Sequence, residues 1–247
     1  MRAGRLRNNV DMLSDKEGAV TTIDEKTGGV RARWPSGKKR MAPALLEWCV
    51  EPWWVVDMLF AAQTFRSTIY DPCCGAGTIP EVARRHGYRT IATDIADRGY
   101  PRQDRRLDFT ADAAVRAFTR NCGADVVFNA PYQRGRLAVA FIDQALRVTG
   151  GRVAALVNDA FLSSAGRWDA AAGVYVGGRH DKFVDEWPVS AIYHCSTRPS
   201  IPPGGFDIIP EGGSANYVWL IFDLDFKGDP LTRWLRREGG SRNGAVA

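Results

Sequence analysis

Four consecutive residues, Asn129-Ala130-Pro131-Tyr132, hold the richest chemistry in this sequence. They close the run Asp125-Val126-Val127-Phe128, so an amide, a main-chain carbonyl and an aromatic ring arrive together at the end of a buried strand. The Asn129 side-chain oxygen and the Ala130 carbonyl can each accept a hydrogen bond from a planar amine. Tyr132 can stack on a flat ring, a contact worth roughly 1–3 kcal/mol for nucleic-acid bases. A second stretch, Asp71-Pro72-Cys73-Cys74-Gly75-Ala76-Gly77, follows Thr68-Ile69-Tyr70. Its two glycines permit a sharp turn and let a ligand approach the main chain. Asp94 ends another apolar run 17 residues beyond Gly77. That is near the spacing at which a carboxylate meets ribose hydroxyls, and it also suits a plain strand-end turn.

Other chemistries lack their residues. No third glycine completes a dinucleotide fingerprint, since Thr78-Ile79-Pro80 follows Gly77, and there is no Gly-Lys-Ser/Thr phosphate loop. A Gly-x-Ser-x-Gly elbow is missing. His86, His180 and His194 have no paired spacing, and the five cysteines have no metal-ligand spacing. No metal is expected.

Positioning these residues requires alternating strands and helices. A helix is expected from Thr78 to His86, with Pro80 in its first turn and Gly87 as its stop. Pro52 opens an earlier helix whose stripe is Val55, Val56, Leu59 and Phe60. Arg89–Asp94 forms a second strand, residues 97–106 a surface loop, and Ala111–Cys122 a helix ended by Gly123. Leu137, Phe141, Ala145 and Val148 mark one face of a further helix before Gly150-Gly151. Val153–Val157 is a fifth buried strand, and two later ones, about Val189–Ser196 and Asn216–Leu224, complete seven. The fold class is therefore α/β, a doubly wound open sheet of seven strands. A ligand belongs at the carboxyl ends of its first, second and fourth strands.

The glycine turn and the tetrad together resemble the paired signatures of S-adenosylmethionine-dependent amino-methyltransferases, which are class I, Rossmann-like enzymes. The resemblance spans roughly residues 44 to 224 and is nearest to DNA adenine-N6 enzymes of phage or prophage type. It implies a seventh strand antiparallel to the rest. It also implies that Asp71, Pro72, Cys73, Gly75 and Gly77 hold the cofactor S-adenosylmethionine, with Asp94 and Ile95 on the ribose side. Asp108 and Phe109 would take its adenine, although Asp108 could instead cap the following helix. Trp48 and Pro52 resemble an aromatic-x-x-Thr-Pro segment that closes over the methionine end, with Glu51 in place of threonine. Asn129, Ala130, Pro131 and Tyr132 would hold the target amine; Ala130 stands where the family usually has proline, keeping the carbonyl and losing stiffness. Arg134 and Arg136 either hold flanking phosphates or are solvated helix-start charges. Phe161 is a candidate second wall for a flipped base. Arg198 lies in an Arg-Pro-Ser loop like one that such enzymes carry before the last strand. Rival roles are methylation of another planar amine, in RNA or on a protein glutamine, and nucleic-acid binding without catalysis.

Charge is unevenly placed. The chain carries +5 overall, and residues 1–40 hold ten Lys/Arg against five Asp/Glu, so the excess sits on the leading segment. This fits a polyanion such as DNA, or a solvated tail. Within it, Ala19–Ile23 and Val30–Trp34 read as a small basic hairpin around Lys26-Thr27-Gly28-Gly29, after residues 1–18 that look loosely held. Residues 1–43 thus form a basic segment, 44–228 the catalytic-type domain, and 229–247 a short amphipathic helix (Asp229–Arg237) with a flexible tail. No apolar run reaches the roughly 20 residues that span a bilayer, and no signal peptide is evident, so a cytoplasmic protein with reduced cysteines is expected.

Overall fold

A computed structural model describes residues 20–23, 30–33, 48–119, 122–131, 136–163, 167–169, 171, 174–176, 186–202, 213 and 215–237. The expectations for residues 1–18, the Lys26–Gly29 turn and the C-terminal tail lie outside these. The chain divides into two compact units. One holds an antiparallel hairpin, β1 (Val20–Ile23) with β2 (Val30–Arg33), in the register Val20 opposite Arg33 and Ile23 opposite Val30.

The other unit is built on an eight-stranded sheet. Its chain order begins α1 (Trp53–Ala62), β3 (Thr68–Asp71), α2 (Thr78–Arg85), β4 (Arg89–Asp94), β5 (Arg105–Arg106), α3 (Asp112–Thr119) and β6 (Asp125–Asn129). It continues with α4 (Arg136–Val148), β7 (Arg152–Asn158), a 3-10 turn (Asp159–Phe161), a separate small hairpin β8 (Arg167–Asp169) and β9 (Val174–Val176), then β10 (Val189–Cys195), β11 (Tyr217–Asp223) and β12 (Leu231–Leu235). The spatial order is β12-β10-β11-β7-β6-β3-β4-β5. Neighbours from β7 through β5 run parallel. β11 is antiparallel to both β7 and β10, which is the expected reversed strand.

Both faces of this sheet are covered, and the alternation of side chains along each strand shows how. Tyr70, Val126, Phe128, Val153, Ala155 and Val157 pack with Phe109, Val115, Phe141 and Ile142 on one side. Ile69, Val127, Ala154, Leu156, Trp219 and Ile221 pack with Val55, Val56, Leu59, Ile79 and Val82 on the other. Strands buried on both faces read as continuous apolar runs, which is why they stand out in the sequence.

The eighth strand corrects an expectation. Residues 229–237 were expected to form an amphipathic helix, but Leu231–Leu235 extends as β12, parallel to β10. A nine-residue helix without caps is marginal in water. As a strand, the segment instead satisfies the open edge of β10, and Leu235 enters the core. The sheet therefore has eight strands, not seven.

Candidate active site

Local geometry at the end of β3 is set by two glycines in left-handed backbone, Gly75 at φ 51° and Gly77 at φ 90°. A Cβ on Gly77 would sit 2.2 Å from the Tyr100 ring, and one on Gly75 would sit 2.7 Å from the Trp48 Nε1. Both positions therefore require glycine, for backbone and for space. The indole of Trp48 packs directly on the turn, and the Arg98 guanidinium lies 5.0 Å from the centre of its ring. Asp94, buried at the end of β4, ties the turn down. One carboxylate oxygen accepts from Gly75 N (3.0 Å) and the other from Ala96 N (2.9 Å).

β6 ends beside this turn. The Cys73 thiol donates to the Asn129 carbonyl at 3.3 Å, joining the two motifs. The Asn129 Nδ2 donates to Glu51 Oε2 (2.9 Å) and to the Cys49 carbonyl (3.3 Å). Its Oδ1 is buried and has no hydrogen-bond partner among the described residues. An orphaned acceptor at the end of a strand is costly unless a ligand completes it.

A cavity of about 320 Å³ opens between the two motifs. Ten of the expected residues line it: Trp48, Pro72, Cys73, Asp94, Ile95, Asp108, Phe109, Asn129, Ala130 and Pro131. Asp71, Gly75 and Gly77 shape the turn behind that lining. Pro52 also stands back, as the residue before the first turn of α1. Asp108 accepts from both the main-chain N and the hydroxyl of Thr110. It thereby forms a turn ahead of α3 while still lining the cavity.

Five expected site residues stand outside the cavity lining or outside the described residues. Phe161 is buried and its ring stacks parallel on Trp187, with centroids 6.3 Å apart, outside the cavity lining. Arg198 is exposed and donates to Asn216 Oδ1 at 2.9 Å, outside the lining. Tyr132 and Arg134 lie outside the described residues, and Arg136 opens α4 with its side chain likewise outside them.

The sequence reading missed the lining residues Cys49, Arg98, Leu107, Thr110, Leu137 and Phe141. Leu137 and Phe141 were assigned only to a helix face; their i, i+4 spacing put both on the side that meets the cavity. It also missed Glu51, noted merely as a departure from threonine. Burial raises the Glu51 carboxyl from 4.5 to about 7, against the hydrogen bonds it accepts. Asp71 is pushed well above the ordinary carboxylate range, first by burial and then by the nearby Glu51. Burial likewise raises the Cys73 thiol, which marks it as a donor rather than a nucleophile. No disulfide joins the five cysteines. Among the described residues, no group of three or more His, Cys, Asp or Glu could hold a metal ion, and no helix is long and apolar enough to cross a membrane.

The parallel sheet with one reversed strand, opening its cavity at the carboxyl ends of β3, β4 and β6, is the class I S-adenosylmethionine-dependent methyltransferase fold. Among solved structures, the chain is similar to a type I restriction-modification methyltransferase subunit from Streptococcus thermophilus. That match has 12% identity over 72% of this chain and 45% of the other, with a TM-score of 0.50. It is also similar to the M protein of the type I restriction enzyme EcoKI (14% identity, 81% and 51% coverage, TM-score 0.44). A TehB-like S-adenosylmethionine-dependent methyltransferase from Corynebacterium glutamicum matches at 15% identity (69% and 86% coverage, TM-score 0.39). The chain spans about half the length of the two restriction-modification subunits. No protein-family model matches the sequence, and no curated protein matches it.

Proposed function

We propose that this chain transfers a methyl group from S-adenosylmethionine to the exocyclic N6 amine of adenine in DNA. The observation that carries this is the Asn129 Oδ1: a buried acceptor with no partner among the described residues, on a cavity that also borders a glycine turn. The residues present suit the cofactor. Leu107, Phe109, Ile95 and Phe141 offer apolar walls to a base, and Asp94 offers a carboxylate to hydroxyls. When bound, the cofactor supplies an activated methyl on a sulfonium that is itself a good leaving group.

The protein's own part is then to prepare the amine. An adenine amine is a poor nucleophile because its lone pair is delocalised into the ring. Asn129 Oδ1 and the Ala130 carbonyl accept its two hydrogens, bend it toward tetrahedral geometry and stabilise the positive charge that grows as the methyl arrives. The new bond is N–CH₃ and the broken bond is S–CH₃; the amine proton leaves to water. Holding nitrogen, carbon and sulfur in line supplies much of the remaining acceleration. A base within a duplex must first be flipped out, at a few kcal/mol. The restriction-modification subunit of similar fold supports DNA as the polymer.

Incubation of the full chain with labelled donor and unmethylated DNA, followed by nucleoside mass spectrometry, tests the proposal. N6-methyladenine is the expected product. Label in RNA or protein alone would reassign the substrate, and binding of DNA with no transfer to any of the three would leave a non-catalytic binder.

A further inference from the structure

We propose that Glu51 is a positioning residue. It fixes the Asn129 amide so that Oδ1, and not Nδ2, faces the amine to be methylated. This rests on the methyl-transfer function proposed above, but its geometry stands independently.

The two ends of an asparagine amide have nearly the same size, so packing alone does not choose between them. Chemistry chooses here. Both Nδ2 hydrogens go to one segment, the residues just before α1: Glu51 Oε2 at 2.9 Å and the Cys49 carbonyl at 3.3 Å. Turning the amide over would set Oδ1 against a carboxylate and a carbonyl, three acceptors with no proton between them. The bond to a carboxylate is also charge-assisted, roughly twice the strength of a neutral one. It polarises the amide and makes Oδ1 a better acceptor for the developing charge. Glu51 is itself anchored, since it is 7% exposed, lies directly before Pro52 at the head of α1, and follows Val50, whose N donates to the Pro202 carbonyl at 2.9 Å.

A pH dependence follows. The groups facing Glu51 are the Asn129 amide, the Thr78 hydroxyl, Asp71 and Cys73, none of them basic. With its carboxyl at about 7, Glu51 takes up a proton just below neutrality. The protonated acid accepts more weakly from Nδ2 and can donate to Oδ1 of a turned amide, so the lock opens as pH falls.

The full chain, Glu51→Gln, Glu51→Ala, Asn129→Ala and the Glu51→Gln/Asn129→Ala double variant test this. Methyl transfer into unmethylated DNA is followed in single turnover from roughly pH 5.5 to 9. The wild-type rate constant should climb about tenfold in all as pH rises across the Glu51 midpoint, and then level. Glu51→Gln retains a neutral acceptor; it should be flat with pH and about tenfold slower at pH 8, with Glu51→Ala about a hundredfold slower. Donor KM should stay within about threefold in both. Adding Glu51→Gln to Asn129→Ala should change the rate by less than about twofold, because the two act as one unit. In parallel, the Asn129 side-chain NH₂ resonances should titrate near the Glu51 midpoint in wild type and not in Glu51→Gln. A Glu51→Gln enzyme with the wild-type rate and pH profile overturns the proposal, and so do independent effects of the two substitutions. If wild type methylates no DNA at any pH, the proposed activity fails, and the resonances decide the lock: a titrating amide supports it and a silent one overturns it.

Discussion

The two sides of the cavity are finished to different degrees. At the end of β4, both oxygens of Asp94 accept main-chain N–H groups, from Gly75 and Ala96, and the glycine turn is clamped. At the end of β6, Asn129 spends both Nδ2 bonds on the segment before α1 and leaves Oδ1 open, next to an acid that burial makes hard to ionise. A satisfied polar group is scaffold. An unsatisfied one, held still by its other end, is stored capacity to bind a ligand. The contrast separates a side built to keep its shape from a side built to react.

The largest expected effect comes from the open side. Asn129→Ala should lower turnover by about 10²–10³, the size seen when one preorganised polar partner is lost, with donor affinity near wild type. Normal turnover would break the comparison. On the clamped side the loss should appear in stability. Gly77→Ala forces a Cβ into left-handed backbone and against the Tyr100 ring, and should cost about 2–4 kcal/mol in a denaturant titration.

Glu51→Gln should split the two properties. Burial raises the folded carboxyl from 4.5 to about 7, so the folded chain holds that proton more tightly than the unfolded one. Stability from this group is full below about pH 4.5 and declines as pH rises through about 7, by up to about 3 kcal/mol. Glutamine removes the decline, so the variant should melt higher than wild type at pH 8 and equally at pH 4, while turning over more slowly. Wild-type-like melting at both pH values would mean that the buried acid carries no such cost. The smallest effect is expected from Asp94→Ala. It strands the Gly75 and Ala96 N–H groups and should cost about 1–3 kcal/mol, read as a shift in thermal midpoint without change in the pH profile, and it should raise donor KM because the carboxylate offered to the donor's hydroxyls is lost.

The sheet was legible because parallel strands covered on both faces must be apolar throughout, as in Val126-Val127-Phe128 and Val153–Val157. The glycine turn was legible because left-handed backbone leaves few choices of residue. Residues 229–237 were misread for the converse reason: nine residues with mixed charge carry too little periodic signal, and the unpaired edge of β10, far away in sequence, decided their form. The place of Phe161 was not legible, because an aromatic after a strand looks alike whether it faces a cavity or, as here, packs on the Trp187 ring.

Local pattern alone determined the principal strands and helices from α1 to β11 and the two motifs that end β3 and β6, since backbone geometry and burial restrict residue type position by position. Only the folded chain decided which end of the Asn129 amide faces the cavity, and that Glu51, 78 residues earlier, holds it there. Hydrogen-bond direction and the ionisation of a buried acid depend on neighbours in space, and a linear sequence does not contain those neighbours until it folds.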